Sequence, residues 1–290
     1  MLTLANLTCG FAAVHFGLRA LYAAGCGIDA SVENTLNNEL VERMLPSFLA
    51  IGAMLIFLGM LLDMLDGLAA RWTRNATTFG AQLDSLADVV SFGVAPAILA
   101  VALMMREWSG YQVVVTPLSA HALGRLMWVC AAVYCLCAAV RLARFNVEHD
   151  LPDYNRRSFR GLPSPGAAAV IASLVMLHEH VASPTVRNLL LYCLPVMALV
   201  TAYLMVSRIR YQRLTQAYLI RRRPFEHLLL FVVVFVVFLS YKAQTLATLC
   251  CLYALSGPVA AAYRRLRAAS PAHAEQAGER KPDQESRTSG

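Results

Sequence analysis

Four aspartates crowd into one 26-residue stretch of an otherwise lipid-like chain: Asp63, Asp66, Asp84 and Asp88, within DMLDGLAARWTRNATTFGAQLDSLAD. Asp63 and Asp66 are three residues apart and Asp84 and Asp88 four, so each pair shares one face of a helix. A carboxylate at the centre of a membrane helix costs about 2.5–3.5 kcal/mol. Four together need compensation, from shallow depth near a helix end and from a bound cation. Two helices presenting paired carboxylates to each other make an all-oxygen cage suited to a hard divalent cation such as Mg²⁺ or Mn²⁺. All four aspartates are therefore candidate metal ligands.

The residues between the pairs point to the ligand. Gly67 directly follows the first pair and lets a second backbone or a bound group approach closely. Arg71, near the end of the same apolar run, carries a guanidinium that can grip a phosphate oxygen bidentately. Gly80, just before the second pair, leaves room for a bound group. Carboxylates for metal, an arginine for phosphate and glycines for clearance indicate chemistry on a membrane-bound diphosphate.

The elements that must position these groups are membrane helices. The chain is 58% apolar and 15% charged, with a mean hydropathy of +0.54, which excludes a soluble domain. Apolar stretches predict an all-α, polytopic membrane protein of about eight spans, near 2–24, 47–70, 78–104, 121–143, 163–181, 187–207, 226–241 and 243–263. Arginines cluster after the second, fourth, sixth and last spans: Arg71 and Arg74; Arg141, Arg144, Arg156, Arg157 and Arg160; Arg208, Arg210, Arg213 and 221–223; and Arg264, Arg265 and Arg267. The alternate connections are acidic or nearly neutral, including Arg106 beside Glu107. By the positive-inside rule the arginine-rich ends and both termini face the cytoplasm, and so do the aspartates.

The net charge of +7 is accounted for by those connections, with attraction to anionic membrane lipids as a further effect. No aromatic-studded basic module accompanies it, so no nucleic-acid partner is expected. The eight cysteines show no metal-ligand spacing and read as small apolar residues of the spans. His178 and His180 fall in an outer connection and read as a surface pair. Residues 268–290 are polar, mixed in charge and free of large apolar side chains, which predicts a disordered cytoplasmic tail after a transmembrane domain spanning 1–264.

The aspartate spacing resembles the signature of the CDP-alcohol phosphatidyltransferases, Asp-x2-Asp-Gly-x2-Ala-Arg-x8-Gly-x3-Asp-x3-Asp. Asp63, Asp66, Gly67, Ala70, Arg71, Gly80, Asp84 and Asp88 fill every specified position. The flanking segments SFGVAPA (Ser91 to Ala97), RLARFNV (Arg141 to Val147), FRGLPSP (Phe159 to Pro165) and LMVSRIRY (Leu204 to Tyr211) resemble the bacterial integral-membrane phosphatidylserine synthases, and the likeness covers roughly residues 1 to 260. Members of the family usually open their first span with Pro-Asn-x-x-Thr. Thr3 matches that threonine and Asn6 the asparagine after it, so the Pro-Asn pair falls before Met1. This predicts either an upstream start or a shortened first segment.

The resemblance implies a phosphatidyltransferase bundle in the bacterial cytoplasmic (inner) membrane, working as a homodimer on CDP-diacylglycerol and L-serine to give phosphatidylserine and CMP. It implies two divalent cations, Mg²⁺ or Mn²⁺, about 3.5–4 Å apart, on Asp63, Asp66, Asp84 and Asp88, with Asp88 also the general base for the serine hydroxyl. Gly67, Arg71, Thr77 and Gly80 match positions at the CDP moiety, and Thr3 and Asn6 are further candidates there. Arg141, Arg144 and Asn146 are candidates for the serine carboxylate or the lipid phosphate. Gly161, Pro163 and Pro165 are expected to shape the start of the fifth span. Two rival readings are the same chemistry with another alcohol, such as glycerol phosphate or inositol phosphate, and a cation-coupled transporter. A transporter would place its carboxylates near the midplane on broken or repeated spans; here they form one compact motif at a span's end.

Overall fold

The computed structural model describes residues 1–26, 46–73, 78–108, 122–149, 159–207, 209–211 and 242–268. These form eight α-helices, with a π-helical turn between the third and fourth. They are α1 (Leu2–Cys26), α2 (Phe48–Thr73), α3 (Thr78–Asp88), the π-turn (Val89–Val94), α4 (Ala95–Trp108), α5 (Ala122–His149), α6 (Ser164–His180), α7 (Pro184–Val206) and α8 (Lys242–Ala268). The chain is thus an all-α, multi-pass membrane protein. Among the described residues, six helical runs are long and apolar enough to cross a bilayer, α3, the π-turn and α4 counting as one continuous run.

Seven of the eight expected spans fall on these helices. The seventh in order, 226–241, lies outside the described residues, as does the expected tail beyond Ala268. The fifth, α6, has 17 residues, or roughly 25 Å of helix against a hydrocarbon layer of about 30 Å. It is not among the six runs long enough to cross. It packs against α2, α4, α7 and α8, and most of its residues, from Ala167 through Met176 to His178, are buried by protein.

Small residues let the first helices approach closely. Gly10, Ala13, Gly17 and Ala20 form one buried stripe of α1 that faces α2, the π-turn and α4. A Cβ on Gly17 would stand 3.0 Å from the Ile98 side chain, and one on Gly52 of α2 2.7 Å from Leu99. In membrane helices, where lipid tails are as apolar as leucine, such close packing rather than hydrophobic exclusion holds helices together.

The π-turn has a local cause. Pro96 carries no N–H, so the ordinary helical bond to the Phe92 carbonyl cannot form. The buried Tyr134 hydroxyl of α5 donates to that carbonyl instead, at 2.9 Å. The Ala95 N–H meanwhile reaches back five residues to the Val90 carbonyl, the spacing that defines a π-turn.

At the start of α6, Gly161 adopts φ +82°, a left-handed conformation that costs other residues roughly 1–2 kcal/mol. Its N–H donates to the Ile209 carbonyl at 2.8 Å, and the Leu162 N–H to the Leu204 carbonyl at 2.9 Å. A two-residue antiparallel pairing of β1 (Phe159–Arg160) with β2 (Arg210–Tyr211) extends this tie. Pro163 caps α6 and Pro165 lies in its first turn, where a missing N–H costs nothing.

Two sequence expectations are corrected at the other end of the bundle. Arg106 and Glu107 are not in a connection but on the last turn of α4. His178 is not a surface residue: it lies on the last turn of α6 and is buried. Arg106 donates to both oxygens of Glu179, at 2.5 and 3.0 Å, and to Glu107 at 3.0 Å. Arg187 of α7 reaches Glu107 at 3.0 Å, and His178 Nδ1 lies 3.3 Å from Glu179. This network joins α4, α6 and α7 roughly 27 Å along the helix from Asp88. A charged pair can stand in so apolar a bundle only because each partner is neutralised and hydrogen-bonded.

Candidate active site

The aspartates come together at the junction of α2 and α3. Oxygens of Asp63, Asp84 and Asp88 all lie within 4.8 Å of one another. The helical period explains half of this, since Asp84 and Asp88 are one turn apart on α3. α1, which packs against both α2 and α3, holds the two together and so brings Asp63 to them. Asp66 stands next to this trio, within electrostatic reach of Asp63 and Asp84. Its carboxylate is not one of the three converging groups; it accepts a hydrogen bond from the Thr3 hydroxyl of α1. Three converging carboxylates with hard oxygen donors fit a divalent cation.

Asn6 is fully buried one turn above Thr3. Its Nδ2 donates to Asp88 Oδ1 at 3.2 Å, while its backbone carbonyl accepts from Ser91 Oγ at 3.0 Å. The N-terminal helix thus supplies one side of the site. Asp88 itself is only 9% exposed, whereas the neighbouring Gly67 is open. A Cβ placed on Gly67 would meet no atom within 4 Å. Asp63 and Asp84 are half-buried beside the more enclosed Asp88, and Gly67, one turn along α2 from Asp63, is exposed.

The other expected residues that the structure describes lie on α2, α3 and α5. Arg71 is on the last turn of α2 and Gly80, half-buried, on the first turn of α3. Thr77 lies outside the described residues. On α5, Arg141 is within electrostatic reach of Asp88 and its Nη1 donates to Ser164 Oγ of α6 at 2.6 Å. Asn146 pairs with Ser85 of α3: its Nδ2 donates to Ser85 Oγ at 2.9 Å and its Oδ1 accepts from that hydroxyl at 3.1 Å. Arg144 is half-buried one turn beyond Arg141. Arg141 is thus brought to the aspartates, while Asn146 braces α5 against α3.

Several polar residues here escaped the sequence reading. Ser164, partner of Arg141, is fully buried, and its only signal was its place between the prolines of GLPSP. Tyr253 of α8 lies within electrostatic reach of Arg141, and its ring packs where a Cβ on Gly166 would stand, at 2.9 Å. Nothing in the sequence around Tyr253 marks it.

A site of this kind could hold a divalent cation. A sequence profile described as CDP-alcohol phosphatidyltransferase matches residues 1–205, and the chain belongs to that family. Relatives named CDP-diacylglycerol–serine O-phosphatidyltransferase come from several organisms, three of which serve as examples. The one from Methanocaldococcus jannaschii is 34% identical over 159 residues, 55% of this chain and 62% of that protein. The one from Helicobacter pylori is 35% identical over 159 residues, 54% of this chain and 58% of that protein. The one from Bacillus subtilis is 29% identical over 212 residues, 73% of this chain and 87% of that protein. The match thus spans about three-fifths of the length of the first two.

Proposed function

We propose that the chain transfers the phosphatidyl group of CDP-diacylglycerol to the hydroxyl of L-serine, releasing CMP. The observation that carries this reading is the convergence of Asp63, Asp84 and Asp88 beside the open face at Gly67, in a chain of this family. In the reaction the serine oxygen forms a bond to the phosphorus that carries diacylglycerol. The bond from that phosphorus to the CMP oxygen breaks, CMP leaves with the electron pair, and the serine hydroxyl proton passes to Asp88.

Asp63, Asp84 and Asp88, with Asp66 beside them, would hold two divalent cations, Mg²⁺ or Mn²⁺. When bound, these supply positive charge that neutralises the diphosphate oxygens and the leaving CMP. Asp88 is the most enclosed of the trio and the one tied to Asn6, which suits a base that must be held in one orientation. Gly67 leaves clearance for the nucleotide, with Arg71, Thr77, Gly80 and Thr3 as the further candidates for its contacts. Arg141, backed by Ser164, offers a guanidinium to the serine carboxylate or the lipid phosphate, with Arg144 next to it.

The same reading puts the protein in the bacterial cytoplasmic membrane as a homodimer. Its arginine-rich ends and its site would face the cytoplasm, where serine is available. The test is CMP release by the purified protein from CDP-diacylglycerol, with and without Mn²⁺ and with and without L-serine, beside Asp88→Asn. Release should need both cation and serine and fall about 10²–10⁴-fold in the variant. Release with glycerol phosphate or inositol phosphate but not serine refutes the acceptor. No release with any acceptor refutes the transferase reading.

A further inference from the structure

Asn6 does not sit where a nucleotide could touch it. It is fully buried, and each of its polar parts is aimed into the bundle. Its carbonyl is taken by Ser91 of the π-turn, at 3.0 Å, and its Nδ2 by Asp88 Oδ1, at 3.2 Å. Its Oδ1 is buried with no hydrogen-bond donor among the described residues. That oxygen lies against α2, where a Cβ on Gly59 would come within 2.9 Å of it. Gly10, one turn further along α1, lets the helix close onto Ser91.

A buried amide with one end unsatisfied is a cost that a leucine of similar volume would not carry. What the amide adds is the bond from Nδ2 to Asp88. An aspartate carboxyl turns freely about its last torsion, which has broad, two-fold preferences. A donor fixed on one oxygen removes that freedom and leaves the other oxygen in one place. Gly59 and Ser91 in turn fix the donor, the first by contact with the amide oxygen and the second by holding the backbone that carries it.

We propose that Asn6 is the positioning residue of the proton-accepting carboxylate: its amide holds Asp88 Oδ1 and thereby sets Oδ2 toward the acceptor hydroxyl. Asn6 touches no substrate and acts through Asp88. The proposal rests on the reading of Asp88 as base, and it moves Asn6 from the nucleotide side of the reaction to the acceptor side.

The test is steady-state kinetics of CMP release at saturating Mn²⁺ for wild type, Asn6→Leu and Gly59→Ala, with melting temperatures measured on the same preparations. For Asn6→Leu, kcat should fall about 10- to 100-fold, the factor expected when a hydrogen bond to a charged group is lost. KM for CDP-diacylglycerol and for serine should stay within about twofold, and the melting temperature should not fall. Gly59→Ala displaces the amide without removing it and should give the same signature in weaker form; it also carries the test if Asn6→Leu fails to fold. A raised KM for CDP-diacylglycerol with kcat preserved would make Asn6 a nucleotide contact and overturn the proposal. So would an unchanged kcat, or a loss of activity that tracks a loss of melting temperature in both variants. A wild type that releases no CMP with serine would instead refute the functional reading beneath it.

Discussion

Removing one carboxylate from the trio should stabilise the cation-free protein and remove its response to cation. Oxygens of Asp63, Asp84 and Asp88 lie within 4.8 Å of one another. At an effective dielectric of 20, two unit charges at that distance repel by about 3.5 kcal/mol. Asp63 takes part in two of the three pairs, so Asp63→Asn relieves at least about 7 kcal/mol before screening. Water and mobile ions screen most of this, leaving an expected gain of about 1–2 kcal/mol. That corresponds to roughly 2–8 °C in melting temperature.

For the wild type, cation at a hundredfold excess over its dissociation constant adds about 2.7 kcal/mol, or roughly 5–11 °C. The assay is thermal unfolding in detergent, followed with a thiol-reactive fluorophore that reports exposure of the buried and half-buried cysteines of the helices. It is run in chelator and in excess Mn²⁺. Wild type should shift strongly, Asp63→Asn should start higher and shift little, and Asp66→Asn, outside the trio, should keep more of the shift. If Asp63→Asn melts lower than wild type in chelator and keeps the full Mn²⁺ shift, the trio is a structural feature and the argument from repulsion fails.

Three further outcomes are expected. Gly67→Ala should hold or raise the melting temperature, because a helical glycine costs about 1 kcal/mol relative to alanine and its Cβ meets nothing; KM for CDP-diacylglycerol should rise all the same. Arg106→Met should destabilise by about 3–5 kcal/mol by leaving Glu179, 5% exposed, as an uncompensated buried charge. The double variant Arg106→Met, Glu179→Leu should recover most of that loss, which a melting series would show. Tyr134→Phe strands the Phe92 carbonyl in the bundle, at a cost of about 1–3 kcal/mol. Because the π-turn starts directly after Asp88, its kcat for CMP release should fall as well.

The span pattern was legible in the sequence because a bilayer imposes one condition on each segment separately: enough consecutive apolar residues. No knowledge of neighbours is needed to see that residues 47–70 are apolar enough to cross a membrane. The pairing of Asp84 with Asp88 was legible for a similar reason, since the helical period is a local property. Motif spacing carried the family, because eight residues at set intervals encode the shape of two helix ends.

Other features depended on how the helices cross and rotate against one another. Asn6 and Asp88 are 82 residues apart and Arg106 and Glu179 73, and no periodicity links either pair. The sequence reading made the four aspartates one ligand set, with Asp88 also the base, whereas the packing of α1 against both α2 and α3 gathers three and leaves Asp66 to Thr3. It took His178 for a surface residue because the residue stands at the end of an apolar run, and only the packing of α6 at the bundle's centre buries it. Pro96 could have signalled a disturbed helix. That Tyr134 would supply the missing donor, and that Asn6 would then meet Asp88 beside the turn, required the helices to be assembled. Composition and period act along one segment, whereas a bond between two side chains is decided by the distance and angle between segments.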